Sequence, residues 1–340
     1  MNLRRAARSV AVRVRRALAV VVREAETELD RARSRRRGGA DLALFHELAP
    51  PPGGGGHQFL RALVRELEGR GLAVELNRIS AGTPACLFNS FNFDFRRLRR
   101  FAREDCRLVH RVDGPIGVYR GADDGTDARI AEINAELAAA TIVQSRFSLD
   151  AHRALGIELR DPVIVPNAPD PAIFHPPVSP RSPLGGRRLR VIAVSWSDNP
   201  NKGADVLSWL DRTLDPERVE LTFAGRTQER FQRIRTLGAI ASDPLADVLR
   251  SQDVYLATSL DDPCSNALLE ALACGLPAVY RASGGHPELV GDAGLPFPEP
   301  DEVPEALERL IRELDERRAA ISIEPLAKVA DRYLEVLGGP

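Results

Sequence analysis

Short apolar runs alternate along this chain with polar turns and with stretches of helical spacing. The clearest case is Val254 to Thr258, a run of strand formers followed by the turn and cap residues of Asp261 to Asn266. A helix is predicted to start at Ser265 or Asn266, run through the strong helix formers Ala267 to Cys274, and stop at Gly275 with Pro277 just beyond. Ala278 to Tyr280 is the next strand, entering Gly284 and Gly285. The same order appears earlier: strand Asp41 to Phe45, a glycine loop over Pro50 to Gly56, and a helix from His57 to Arg70 with apolar positions at 59, 60, 63, 64 and 67. Gly71 then stops that helix, and Leu72 to Leu76 reads as a strand. Further strands are predicted at Ala85 to Phe88, Leu108 to His110, Pro162 to Pro166, Arg190 to Val194 and Val219 to Ala224, with a helix from Ala204. Strand, loop, helix, strand is the order of a parallel α/β sheet, whose ligands sit beyond the carboxyl ends of the strands.

Chemistry concentrates between Asp262 and Glu288. A helix starting at Ser265 and Asn266 presents unpaired N–H groups and the positive end of its dipole, a site for a diphosphate. Glu270 sits one turn inside, the only charge between Pro263 and Val279. A carboxylate in so apolar a helix needs a partner, since burying it alone is costly or forces it neutral. Ribose hydroxyls would serve; so would a neighbouring arginine, or water.

Asp262 and Glu270 eight apart, the run Ala271 to Pro277, and Gly284 to Glu288 resemble the E-x7-E region of the family 4 retaining glycosyltransferases of the GT-B fold. The resemblance implies two Rossmann-like domains facing across a cleft, with Glu270 on the nucleotide ribose and Asp262, Ser265 and Asn266 around the donor sugar and diphosphate. Asp262 stands where the family usually has Glu, and Pro263-Cys264-Ser265 where it has Gly-Phe-Gly. Upstream, Lys202 and Gly203 are similar to the family's Lys-Gly, which implies that Lys202 holds the diphosphate. The arginine expected before it is replaced by Trp196, so either Arg226 substitutes from the next loop or the protein is a slow or inactive relative. Gly54 and Gly55 correspond to a loop facing the donor phosphates, and Pro162 to Pro176 to the exit from the first domain. Asp113 aligns near a position that in many relatives is a histidine beside the reacting sugar; a capping role is the other reading. His110 is expected to be buried in its strand. The resemblance implies no cofactor and no metal, only a nucleoside diphosphate sugar as donor substrate.

The domains expected are a basic extension over 1–40, an acceptor domain over 41–177, a donor domain over 187–325 after the linker Pro176 to Arg190, and a final helix in 326–340 packing back on the first domain. At 340 residues there is enough chain for two cores. Cys86, Cys106, Cys264 and Cys274 show no metal or redox spacing, which fits a reducing cytoplasm, and no transmembrane run or cleaved leader is evident. The net charge of −1 hides an asymmetry: residues 1–37 hold twelve Arg against four acids, a net +8. A helix there would be basic and partly apolar, suited to an anionic membrane surface at the cytoplasmic face. A solvated extension is the competing reading. Nucleic acid is not expected, because those residues include no aromatic side chain for base stacking. The function expected is transfer of a hexose, with retention, to a glycan or glycolipid acceptor. A degenerate binding protein of this fold, or an epimerase or phosphorylase, is the alternative.

Overall fold

The computed structural model describes residues 22, 24–36, 38–50, 54–179, 181, 183–197 and 199–339. It holds two six-stranded sheets. The first comprises β1 (Leu42–Phe45), β2 (Val74–Leu76), β3 (Ala85–Asn89), β4 (Arg107–Val112), β5 (Ala140–Val143) and β6 (Pro162–Ile164), in the order β2-β1-β3-β4-β5-β6. The second comprises β7 (Leu189–Ser195), β8 (Val219–Gly225), β9 (Arg235–Thr236), β10 (Val254–Ala257), β11 (Ala278–Arg281) and β12 (Gly294–Phe297), in the order β12-β11-β10-β7-β8-β9. Every pairing in both is parallel. Strands buried on both faces read as continuous apolar runs, which is why they were visible in the sequence.

Each sheet is covered on both sides. One face of the first packs Leu42, Leu44 and Leu87 against Phe59, Leu60 and Leu63 of the helix Gly55–Gly69. The final helix Leu326–Leu337 inserts Val329, Ala330 and Tyr333 into that same core. The second sheet is flanked by the helix Ala204–Thr213 with Val206 and Leu210 on one side, and by the helix Asn266–Ala273 with Leu268, Ala271 and Leu272 on the other.

Two local readings need correction. The first helix starts at Gly55 rather than His57, so part of the glycine run is helical, with Gly54 as its cap. Strand β2 starts at Val74 rather than Leu72, because the Leu72 N–H donates to the Leu67 carbonyl and closes the preceding helix. The linker between the domains is tied to the second one, Arg181 donating to the carbonyls of Arg250, Gln252 and Cys274.

Of the basic extension, residues 1–21, 23 and 37 lie outside the described residues. Residues 24–34 are helical and lie on the first domain. Arg100 faces Glu24 at 3.4 Å and Glu28 at 3.7 Å, and Arg97 faces Asp30 at 3.0 Å. Ser34 is buried.

Candidate functional site

The carboxyl ends of the two sheets face each other across a cleft of about 760 Å³, a volume suited to a nucleotide sugar. Gly54, Gly55, Asp113, Lys202, Asp262, Ser265, Asn266 and Glu270 all line it.

Glu270 is 8% exposed. Its carboxylate makes no hydrogen bond or ion pair among the described residues, and burial alone pushes its pKa up to about 8. Its backbone is engaged in the helix, the carbonyl accepting from the Cys274 N–H at 3.1 Å. It is a buried polar group whose partner is not found among the described residues.

Asp262 is the opposite case. Its Oδ2 accepts from Lys202 Nζ at 2.7 Å, and its Oδ1 accepts from the Cys264 N–H at 3.2 Å. Burial works against the charged form, yet Lys202 beside it holds its pKa below the usual carboxylate range. Burial also opposes the Lys202 ammonium, and Asp262 outweighs it and raises the Lys202 pKa. The two residues that the resemblance assigns separately, to phosphate and to sugar, are thus one ion pair here. The Lys202 ammonium also lies 4.9 Å from the Tyr119 ring centroid, across the cleft.

Backbone packing sets this loop. Gly284 (φ +64) sits where a Cβ would come 2.5 Å from the Asp262 carbonyl oxygen, and the Gly285 N–H donates to that oxygen. Only glycine fits so close an approach at that φ. Ser265 caps the helix Asn266–Ala273, accepting from the Leu268 N–H at 3.4 Å. Asn266 accepts from Asn167 of the first domain at 3.0 Å. Gly55 abuts the same residue: a Cβ on it would stand 2.6 Å from Asn266 Cβ.

Arg226 is not brought into the cleft lining. It is exposed, and its guanidinium lies over the Trp196 ring at 4.5 Å from the centroid. Trp196 itself lines the cleft and lies against Gly54. An aromatic face thus stands where the resemblance leads one to expect a cation.

On the opposite wall Asp113 follows β4 and accepts from Arg111 at 2.9 Å. Arg111 is 1% exposed and also donates to Asn89 and Asn167. Burial opposes its charge, but Asp113 raises its pKa, so it stays cationic. His110 is fully buried and stacks on Phe88, in keeping with a strand residue. Sequence reasoning missed Arg111, Tyr119, Arg120, Asn167 and His57. Arg111 had a signal, a charge inside an apolar strand. Tyr119 and Arg120 had none, since they lie in the short helix Ile116–Arg120.

The two domains are also tied at the edges. Asn199 and Asn201 donate to the Tyr119 carbonyl at 3.1 and 3.0 Å. Glu288 accepts from the N–H groups of Arg146 and Phe147, capping a first-domain helix from the second domain. Among the described residues there is no cluster of three potential metal ligands, and no helix long and apolar enough to cross a membrane.

With this geometry in view, the likeness to known proteins has a location. The family model for Glycosyl transferases group 1 matches residues 189–314, the domain that carries Lys202, Asp262 and Glu270. The phosphatidylinositol N-acetylglucosaminyltransferase GPI3 subunit of Saccharomyces cerevisiae is 29% identical over 147 residues, 37% of this chain and 32% of its own length. MMP alpha-(1->4)-mannosyltransferase of Mycolicibacterium hassiacum is 31% identical over 144 residues, covering 38% of this chain and 34% of its own. The matched stretch thus spans about a third of the length of these relatives. Among solved structures, Anabaena HepE in complex with UDP and glucose superposes with a TM-score of 0.66 at 17% identity, over 88% of this chain and 100% of that one. Sucrose-phosphate synthase from Thermosynechococcus elongatus gives 0.65 at 16% identity, over 88% and 94%. Over its second domain the chain is thus similar to the Glycosyl transferases group 1, and as a whole it has the two-domain GT-B fold.

Proposed function

We propose that the protein is a retaining glycosyltransferase that moves a hexose from a nucleoside diphosphate sugar to an acceptor hydroxyl on a glycan or glycolipid. The observation that carries this reading is Glu270, a buried carboxylate without a side-chain partner among the described residues, one turn inside a helix whose N-terminus opens on the cleft. Ribose hydroxyls donating to Glu270 would satisfy it, and they place the diphosphate over the amides at Asn266. Lys202 is close enough to that helix, through Asp262, to be shared between the sugar-side carboxylate and the phosphates. Charge that develops on the departing phosphate is then met by a fixed dipole and a cation, the interactions that contribute most to such steps. In this scheme no metal is required. The departing phosphate takes the proton from the acceptor hydroxyl, which approaches from the Asp113 side. The two relatives are named for transfer of N-acetylglucosamine and of mannose, and HepE binds UDP and glucose, which supports a nucleotide-sugar donor.

A second reading, a binding protein of the same fold without turnover, is favoured by Trp196 and by the engagement of Lys202 with Asp262. One experiment separates them. A thermal-shift panel of UDP-, GDP-, ADP- and TDP-sugars identifies the donor, because a bound ligand raises the melting temperature by mass action. The α-linked sugar should then appear in product with retained configuration. Donor binding without transfer to any acceptor supports the second reading, and no shift with any of the four removes both.

Residues 1–37 are proposed to bring the protein to an anionic membrane surface. Three of their four acids face Arg97 and Arg100 of the body, which leaves the basic residues before them less compensated. Deleting residues 2–20 should abolish co-sedimentation with vesicles containing anionic lipid at low salt; equal sedimentation of both forms refutes the attachment.

A further inference from the structure

His57 lines the cleft, and the nucleotide-sugar reading leaves it without a task. Its Nδ1 accepts from the backbone N–H of Ala49 at 3.3 Å. A backbone N–H can only donate, so this nitrogen is bare and the neutral ring carries its proton on Nε2. The contact of 2.8 Å between His57 Nδ1 and His46 Nε2 must therefore run from His46 to His57. That leaves Nδ1 of His46 as an acceptor, and Asn89 Nδ2 stands 3.4 Å from it. The Asn89 amide is itself oriented, because its Oδ1 accepts from the buried Arg111 at 2.7 Å. The relay Arg111, Asn89, His46, His57 thus starts at a permanent cation and ends at an Nε2–H that has no partner among the described residues. Burial, reinforced by Arg61, lowers the His57 pKa, and burial, His57 and Arg111 bring that of His46 down to about 4 against a weaker upward pull from the Phe91 carbonyl. Both rings stay neutral at physiological pH.

The surroundings select an anion. His57 lies in the first turn of a 15-residue helix that has no side-chain cap and no acidic residue in that turn. Its Gly55 abuts Asn266, the first residue of the opposing helix, so two helix N-termini converge there. Of the cations expected at this place, Lys202 is shared with Asp262, and Arg226 is stacked on Trp196 and does not line the cleft.

We propose that His57 Nε2–H donates a hydrogen bond to the diphosphate of the bound nucleotide sugar, supplying from the first domain part of what the arginine replaced by Trp196 would supply from the second. This rests on the nucleotide-sugar reading above. His46 and Arg111 act through His57 as positioning residues, holding one tautomer.

Two variants separate the nitrogens. In His57→Asn the amide oxygen stands near the position of Nδ1 and keeps the contacts to Ala49 and His46, while the reach to Nε2 is lost. In His57→Gln a terminal amide extends to the position of Nε2. Dissociation constants are measured for UDP, GDP, ADP and TDP and for their nucleosides. The diphosphate bound by the wild type should weaken about tenfold in His57→Asn, with little change for its nucleoside, and recover to within about threefold in His57→Gln. On the unmodified protein, ¹⁵N NMR of the imidazoles should show His57 protonated at Nε2 and bare at Nδ1. An unchanged diphosphate constant in His57→Asn, an effect only on acceptor KM, or the opposite tautomer overturns the role of His57 and leaves the donor site standing. If the wild type binds none of the four diphosphates, the donor reading falls, and this inference with it.

Discussion

The two walls of the cleft are built by opposite strategies. The wall proposed to hold the donor gathers the ends of β7, β8 and β10 around the stretch Thr258 to Glu270, where two carboxylates sit eight residues apart and Gly284 packs from behind on the Asp262 backbone. The acceptor wall collects single side chains from the ends of β1, β3 and β4, from the first helix and from the chain leaving β6, and joins them through Arg111. Polar groups on the acceptor wall are mostly satisfied by one another. On the donor wall one carboxylate is paired and the other is left unsatisfied. The first domain is thus preorganised by internal bonds, whereas the second stores an unmet demand at Glu270 that a ligand must answer.

The largest effect should come from breaking the one pair on the donor wall. Lys202→Met leaves Asp262 buried without its cation, which costs about 3 kcal/mol of stability. It should also lower transfer by about 10²–10³-fold, the scale of removing one group that stabilises developing charge. The double variant Lys202→Met with Asp262→Asn neutralises both ends. Its melting temperature should recover while its turnover does not, which separates the structural role of the pair from the chemical one. Recovery of turnover in the double variant would show that Lys202 serves Asp262 only.

The contrast between the walls also explains what could be read beforehand. Asp262, Glu270, Gly284 and Gly285 fall within 24 residues, and their spacing alone places them on a loop, the helix after it and the turn beyond the next strand. The strands were legible because parallel strands covered on both faces are continuous apolar runs. The link between Lys202 and Asp262 was not, since a separation of 60 residues closes only when β7 and β10 pair. His57 and His46 looked like ordinary residues of a helix start and a strand end. Their meeting depends on β1 and the helix Gly55–Gly69 being neighbours in three dimensions. Arg226 was placed by proximity to β8, and its guanidinium instead stacks on the aromatic ring of Trp196, outside the cleft lining.

Next in size is Glu270. Its folded pKa of about 8 lies above the usual value of 4.5, so the unfolded chain loses the proton first as pH rises. Stability is therefore lost between about pH 4.5 and pH 8, on the order of 1.4 kcal/mol per pKa unit at full burial. Glu270→Gln should match the wild type near pH 4.5 and melt higher than it above pH 8. The same variant should bind the donor about tenfold more weakly, since one of the two oxygens that accept from the ribose hydroxyls becomes an NH2 donor. A variant less stable than wild type at pH 8 would mean that the carboxylate already has a partner.

Gly55→Ala probes where the walls meet. The added Cβ would stand 2.6 Å from Asn266 Cβ and must push the two helix starts apart. Domain closure positions the reacting groups, so transfer should fall about fivefold or more while binding of the nucleoside alone, which needs only the second domain, is retained. Equal loss in both assays would place the base on the first domain.

The smallest effect should come from Glu288, which caps the helix Arg146–Ala154 across the boundary through the N–H groups of Arg146 and Phe147. The carboxylate is exposed, so the charge–dipole part of the contact is screened by salt. Glu288→Gln keeps a carbonyl that can accept one of the two bonds and removes the charge. The melting temperature should drop by about 2 °C at low salt, the variant and wild type converging at about 1 M. If closure is held mainly by this cap, KM for the donor rises in step with the lost stability and kcat does not. If closure is held by Asn199 and Asn201 on the Tyr119 carbonyl, neither constant moves, and the walls are joined by neutral bonds that salt leaves intact.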